Sequence, residues 1–149
     1  SAIAFCQAMR RLRGDLVFGA DLIAGFPTET DDMFERTRAI IADCGLTHVH
    51  VFPFSARKGT PAARMPQLPR DVVKARAAAL RAEAAGALAE ALGRAIGAPA
   101  EILVEKDNAG RTAHYMPARW EGPSAEPGTL VAGRVTKVED DILLVGGMA

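Results

Sequence analysis

The apolar positions of this chain change their period along its length, and each change marks a different element. Between Ser1 and Arg13, Ala2, Phe5, Met9 and Leu12 recur at three- and four-residue spacing, which predicts an amphipathic helix ended by Gly14. Gly19 to Gly25 (GADLIAG) then holds Ala20, Leu22, Ile23 and Ala24 with Asp21 as its only charge, the composition of a parallel strand covered on both faces. Gly25 permits a sharp turn or a close approach to a ligand, and Pro27 cannot continue a central strand. Thr30 reads as an N-cap with Asp31 and Asp32 where a helix dipole favours negative charge. Met33, Phe34, Thr37, Ile40 and Ile41 carry that helix to a C-capping Gly45. Leu46 to Phe54 (LTHVHVFPF) alternates, Val49 and Val51 on one face, His48, His50 and Phe52 on the other, so Asp15 to Phe54 is expected to form a β-α-β crossover.

Ser55 to Pro69 carries prolines and a glycine and reads as a long loop, a length that usually serves function. From Arg70 one long helix follows, with Val73, Ala77, Leu80, Ala84, Leu88 and Ala91 as its apolar stripe and Arg76, Arg81, Glu83 and Glu90 off it; Gly93, Gly97 and Pro99 close it. Beyond Ala98 the pattern shortens to strand-sized runs at Glu101–Glu105, Thr112–Tyr115, Ala118–Trp120, Thr129–Val138 and Asp141–Val145. Turn chemistry at Asn108-Ala109-Gly110, Gly122-Pro123-Ser124, Pro127-Gly128 and Asp140-Asp141 separates them, which predicts a small antiparallel barrel. The boundary falls between Arg94 and Ala98, dividing residues 1–95 from 96–149.

Composition narrows the picture. With 49% apolar residues but 5% aromatic, the 149-residue chain can build a core mostly of Ala, Val, Leu and Ile. A formal net charge of zero argues against strong sequence-independent nucleic-acid binding by the chain as a whole. Charge is uneven, however: 12 basic and 10 acidic residues up to Gly93, against 6 basic and 8 acidic from Arg94 onward. Arg57 to Arg81 holds Arg57, Lys58, Arg64, Arg70, Lys74, Arg76 and Arg81 against only Asp71, so this block is either a phosphate-facing surface or a solvated helix face. Cys6 and Cys44 lack metal-type spacing and fit a reducing compartment, the cytoplasm. No apolar run is long enough for a membrane span, and the start at Ser1 without an initiator methionine reads as a piece of a longer protein.

Ligands of strand-loop-helix units bind beyond the carboxyl end of the strand, which makes Gly25 to Thr30 the candidate small-molecule site; an ordinary β-to-α connection has the same pattern. Phe26, Phe52 and Phe54 suit either a flat ligand or a core. In the β module Arg111, His114, Tyr115, Arg119, Trp120, Arg134 and Lys137 are the side chains suited to bases and phosphates, with Trp120 equally suited to the barrel core. His48 and His50 are compatible with a metal pair or with a cleft lining.

The succession GADLIAGFPTET, HVHVFPFSARKGTPAARMP, a long helix, then EILVE with a β module resembles the C-terminal half of the radical S-adenosylmethionine tRNA methylthiotransferases, most nearly the branch acting on N6-threonylcarbamoyladenosine. VFPFSARKGTPAARM is the most specific part. The resemblance implies the C-terminal portion of a radical-enzyme partial (β/α) barrel followed by a TRAM-like RNA-binding barrel. It implies transfer of a methylthio group to carbon 2 of the modified adenosine beside the anticodon of tRNA, using S-adenosylmethionine and two 4Fe-4S clusters. It places Ile23, Gly25, Phe26, Pro27 and Glu29 near the adenosine part of S-adenosylmethionine, with the backbone around Phe52 to Phe54 closing on the adenine. Arg57 and Lys58, just beyond the second strand, suit the tRNA backbone, the carboxylate of a threonylcarbamoyl group or plain surface charge; with Arg64, and with Arg111, Tyr115, Arg119, Arg134 and Lys137 of the β module, they are the RNA-binding candidates. The CxxxCxxC triad of the family is absent from this sequence, so by itself the chain is expected to hold no iron and to be inactive. A free-standing RNA-binding adaptor is the alternative. Self-association of the α/β part is expected, because two parallel strands leave edges and apolar faces open.

Overall fold

The computed structural model describes residues 1–147 and contains two compact units, Ser1–Ala87 and Leu88–Ala149, divided within a long helix. In the first unit α1 spans Ala2–Leu12, with the Ser1 side chain accepting from the Ala4 amide at 3.3 Å. Strand β1 spans Phe18–Ala24, α2 Asp31–Cys44, β2 Leu46–Pro53 and α3 Arg70–Arg94, with a single 3-10 turn at Ala62–Arg64 between the last two. Local chemistry sets these bounds. Thr30 Oγ1 accepts from the Met33 amide at 3.2 Å, and Gly45 ends α2 in the left-handed region at φ 56°. Arg10 adds a cation at that end, donating to the Cys44 carbonyl at 2.5 Å and the Gly45 carbonyl at 3.1 Å.

Strands β1 and β2 pair in parallel from Phe18 opposite Leu46 to Ala24 opposite Pro53, and the Phe54 amide extends the ladder to the Ala24 carbonyl at 2.8 Å. Cys6, Ala24, Phe34, Ile41, Cys44, Leu46, Ala77 and Leu80 are buried together, with Phe18, Ala20, Leu22, Val49 and Val51 packed on them. All three helices therefore contribute to a core on one face of the sheet. The expectation that β1 is covered on both faces is corrected: Gly19, Asp21 and Ile23 are exposed, and so are His50 and Phe52 of β2, the register partners of Asp21 and Ile23. A second correction concerns α3, where Arg76 does not lie off the apolar stripe but is buried between Val73 and Ala77.

In the second unit five strands, β3 Pro99–Lys106, β4 Ala109–Thr112, β5 Pro117–Trp120, β6 Leu130–Glu139 and β7 Ile142–Gly146, close a barrel in the order β3-β4-β5-β7-β6. Its interior holds Ile102, Val104, Met116, Ala118, Val135, Leu143 and Val145. The barrel is not wholly antiparallel, because β5 and β7 pair in parallel. The first hairpin turns at Asp107-Asn108, both left-handed at φ 50° and 60°, so Ala109 and Gly110 belong to β4 rather than to a turn. Thr112–Tyr115, expected as a strand, is the next turn, with Tyr115 at φ 60°. Asp140-Asp141 repeats the two-residue left-handed turn, which suits the right-handed twist of the flanking strands.

Candidate ligand site at the carboxyl ends of β1 and β2

The loop after β1 is built on Gly25, which is buried at φ +80° with Val73 of α3 so close that an added Cβ would lie 2.7 Å from a Val73 methyl. Only glycine meets both demands. The Gly25 amide donates to Glu29 Oε1 at 3.1 Å, folding the loop back on itself. The same Oε1 accepts from Arg76 Nη1 at 2.7 Å, and Nη1 also reaches the Glu29 carbonyl at 3.0 Å while Nη2 reaches Asp31 Oδ1 at 2.5 Å. Both members of the Arg76–Glu29 pair are buried, with side-chain exposures of 9% and 8%. Burial works against the Arg76 charge, but the hydrogen bonds it donates to Asp31 and Glu29, and the charges of those carboxylates, outweigh it and hold the guanidinium above its ordinary range. The Phe34 ring lies beneath it, 5.3 Å from the guanidinium carbon.

The residues expected near a flat ligand fall into two groups. Ile23 and Phe52 are register partners on the open sheet face, about half exposed at 55% and 51%. Phe26 and Phe54 meet edge to face with centroids 5.3 Å apart at 74°, Phe26 partly open and Phe54 half-buried. Pro27 is half-buried beside them. Glu29 is placed otherwise, its carboxylate turned inward to Gly25 and Arg76. Adjoining the loop is a cavity of about 730 Å³ lined by Gly25, Phe54, Leu68, Arg70, Val73 and Lys74 among others. Arg70 and Lys74 have no acidic partner within ion-pair distance among the described residues.

The basic block divides in the same way. Arg57, Lys58 and Arg64 are exposed on a loop tied by its own contacts: Thr60 Oγ1 donates to the Arg57 carbonyl at 2.8 Å and accepts from the Ala63 amide at 3.3 Å, and Gln67 donates to the Ala62 and Met65 carbonyls. Arg76 is spent on the loop after β1, and Arg81 donates to the Val51 carbonyl at 3.2 Å. In the barrel, Arg111 lies 4.5 Å over the Tyr115 ring and donates to the Tyr115 carbonyl at 3.3 Å, with Tyr115 65% exposed. Arg119 is exposed on β5. Arg134 is engaged with the Gly97 carbonyl, and Lys137 with Glu139 at 2.6 Å, whose hydrogen bond and charge raise the ammonium above its ordinary range. Trp120 is half-buried and donates from its indole nitrogen to the Pro123 carbonyl at 3.1 Å, holding the loop after β5.

Cys6 and Cys44 are buried in the core of the first unit; burial, then the neighbouring Cys6 thiol, pushes the Cys44 thiol up. Two buried thiols do not fit the donor set of a cubane cluster, and among the described residues no three His, Cys, Asp or Glu side chains stand together as metal ligands. No helix among the described residues is long and apolar enough to cross a membrane. The Arg76–Glu29 pair escapes periodicity analysis because its partners are 47 residues apart; the signal present was an arginine one position from a buried alanine on the apolar stripe.

No family model matches the chain. Similar curated proteins are tRNA-modifying enzymes. Threonylcarbamoyladenosine tRNA methylthiotransferase MtaB of Rickettsia prowazekii (strain Madrid E) is 49% identical over 119 residues, 80% of this chain and 28% of the relative. The tRNA-2-methylthio-N(6)-dimethylallyladenosine synthase of Cereibacter sphaeroides (strain ATCC 17025 / ATH 2.4.3) is 36% identical over 140 residues, 87% of this chain and 31% of the relative. Its counterpart in Opitutus terrae is 46% identical over 71 residues, 47% of this chain and 15% of the relative. The chain thus spans about three-tenths of the length of the first two.

Proposed function

Because the chain belongs to the tRNA methylthiotransferase family, we propose that it is the part of such an enzyme that contributes one wall of the S-adenosylmethionine site and a surface for tRNA. The observation that carries this reading is the likeness to the threonylcarbamoyladenosine enzyme, higher in identity than that to the Cereibacter dimethylallyladenosine synthase. In this reading β1 and β2 are strands of the radical-enzyme partial barrel and the five-stranded barrel is its TRAM-like RNA-binding module. The reaction is transfer of a methylthio group to carbon 2 of N6-threonylcarbamoyladenosine beside the anticodon. S-adenosylmethionine supplies radical and methyl chemistry when bound; among the described residues no group of three His, Cys, Asp or Glu stands together to hold either 4Fe-4S cluster of the intact enzyme. What the chain's own residues do is bind and orient. Ile23, Phe26, Phe52 and Phe54 offer apolar surface beside the tightly turned Gly25 backbone, which suits a flat purine.

The substituents named for the two kinds of relative differ in charge: a threonylcarbamoyl group ends in a carboxylate, whereas a dimethylallyl group is apolar. Arg70 and Lys74, which outnumber Asp71 in the cavity lining, and Arg57 and Lys58 on the loop before them support the carboxylate-bearing nucleoside. For RNA, the Arg111–Tyr115 stack offers an exposed platform for a base, and Arg119 a phosphate contact. Anticodon stem-loops carrying either modified adenosine, titrated against the chain, test the assignment. The threonylcarbamoyl form is expected to bind several-fold more tightly, and Arg70→Gln with Lys74→Gln to erase the difference. Equal affinities, or preference for the dimethylallyl form, would remove the threonylcarbamoyl assignment.

A further inference from the structure

The guanidinium of Arg76 reaches three acceptors at once: Glu29 Oε1 at 2.7 Å, the Glu29 carbonyl at 3.0 Å and Asp31 Oδ1 at 2.5 Å. The Asp31 side chain is 99% exposed, so its pairing with Arg76 contributes little. Glu29 is different. Its carboxylate is buried, and its Oε1 joins two donors from opposite sides, Arg76 on α3 and the amide of Gly25 at the end of β1. One oxygen atom therefore links the last peptide of the strand to the helix that covers it. Three residues before Arg76, on the same face of α3, Val73 fills the space against Gly25 where a side chain would otherwise stand. That face of α3 is a template for the loop: Val73 fixes where the Gly25 peptide lies, and Arg76 fixes the carboxylate that orients its N–H.

We propose that Arg76 is the positioning residue of the nucleoside site, holding the Gly25–Thr30 loop, through the buried Glu29 carboxylate, in the conformation that presents Gly25, Phe26 and Pro27 to S-adenosylmethionine. This rests on the reading of that loop as part of the S-adenosylmethionine site. Arg76 itself is buried and touches no ligand surface. Its work passes through Glu29, which accounts for an acidic residue in the loop whose carboxylate faces away from the opening. A lysine ammonium carries the same charge on a shorter reach, which sets it farther from the Glu29 carboxylate and carbonyl that Arg76 Nη1 joins. Removing the cation leaves a buried carboxylate without its counter-charge, and the loop must open to hydrate it. Replacing Glu29 by glutamine removes that demand while keeping an oxygen for the Gly25 amide.

Amide hydrogen exchange on the isotope-labelled chain reads this without any ligand. In Arg76→Met the Gly25 amide is expected to exchange faster by roughly tenfold or more. The amides of Ile41 in α2 and of Val104 in the barrel should keep their rates. In the double variant Arg76→Met with Glu29→Gln, the Gly25 rate should return most of the way to that of the unaltered chain, a rescue that a general packing role for Arg76 would not produce. Where Arg76→Met does not fold, Arg76→Lys carries the same comparison, with the Gly25 amide still accelerated. An unchanged Gly25 rate, equal acceleration at Gly25 and Ile41, or failure of glutamine to rescue would each overturn the proposal. Titration with S-adenosylmethionine, followed at the Gly25 to Glu29 resonances, separates the premise from the proposal. Resonances of the unaltered chain that ignore the titrant overturn the site reading, whereas the exchange rates judge the clamp in either case.

Discussion

Gly25 carries two constraints whose removal can be separated. Its φ of +80° strains any residue with a side chain, and Val73 occupies the space a Cβ would take. Gly25→Ala should therefore destabilise the first unit by about 2–4 kcal/mol, the left-handed conformation contributing about 1–2 and the collision the rest. Adding Val73→Ala should recover the collision and leave the conformational part. Urea unfolding of the single and double variants measures this, and full recovery would show that the backbone conformation carries no strain. Gly25 was legible in the sequence as a sharp turn because a glycine between an apolar run and a Phe-Pro step admits few other readings. Arg76 was not. Its neighbours in the chain are alanines, lysine and valine, and the carboxylate that makes its burial possible arrives only through the tertiary fold. The resemblance places Glu29 near the adenosine part of S-adenosylmethionine, and in the structure its carboxylate meets the Gly25 amide and Arg76.

Among the elements, those bounded by local chemistry were readable to within a residue or two. Helix α2 starts at the Thr30 cap and stops at Gly45, and α3 ends where glycines and Pro99 deny it continuation. Where neighbouring strands set the outcome, local sequence does not fix the element. An asparagine and a glycine flanking Ala109 suggested a turn there, but the two left-handed residues are Asp107 and Asn108, and Gly110 instead lies in β4, so near the Leu103 carbonyl that no larger residue would fit. The parallel pairing of β5 with β7 leaves no mark on either short strand. The loop from Phe54 to Pro69 matters most at this scale, because its cations are exposed and unspent while those of the barrel are partly engaged. Neutralising Arg57, Lys58 and Arg64 should weaken tRNA binding and flatten its salt dependence, the slope falling by roughly 0.9 for each duplex phosphate no longer neutralised and about 0.7 for each single-strand phosphate. Replacing Arg134 and Lys137 should do less, since both already have partners. Filter binding across a salt series decides it; an unchanged slope in the loop variant would take the loop off the RNA surface.

At the scale of the whole molecule the two units handle their strand edges in opposite ways. The barrel closes on itself, so each of its strands has two neighbours. Strands β1 and β2, in contrast, pair only with each other among the described residues and are covered on one face, leaving Gly19, Asp21, Ile23, His50 and Phe52 on the other. Ile23 and Phe52 stand side by side there, a contiguous apolar patch flanked by Asp21 and His50, and open strand edges of this kind recruit further strands. A second copy of the chain presents the same surface and can meet it about a two-fold axis, patch against patch. We therefore expect concentration-dependent self-association of the chain, read by light scattering. Ile23→Asp should abolish it by placing a charge at the centre of the patch, whereas Leu130→Asp, at an exposed position on the barrel, should not. The segment from Arg94 onward, with its edges closed, should remain monomeric at every concentration. A full chain that stays monomeric at high concentration would mean that the Asp21 and His50 flanks keep the open face hydrated well enough to stand alone, and that neither strand edge accepts a partner.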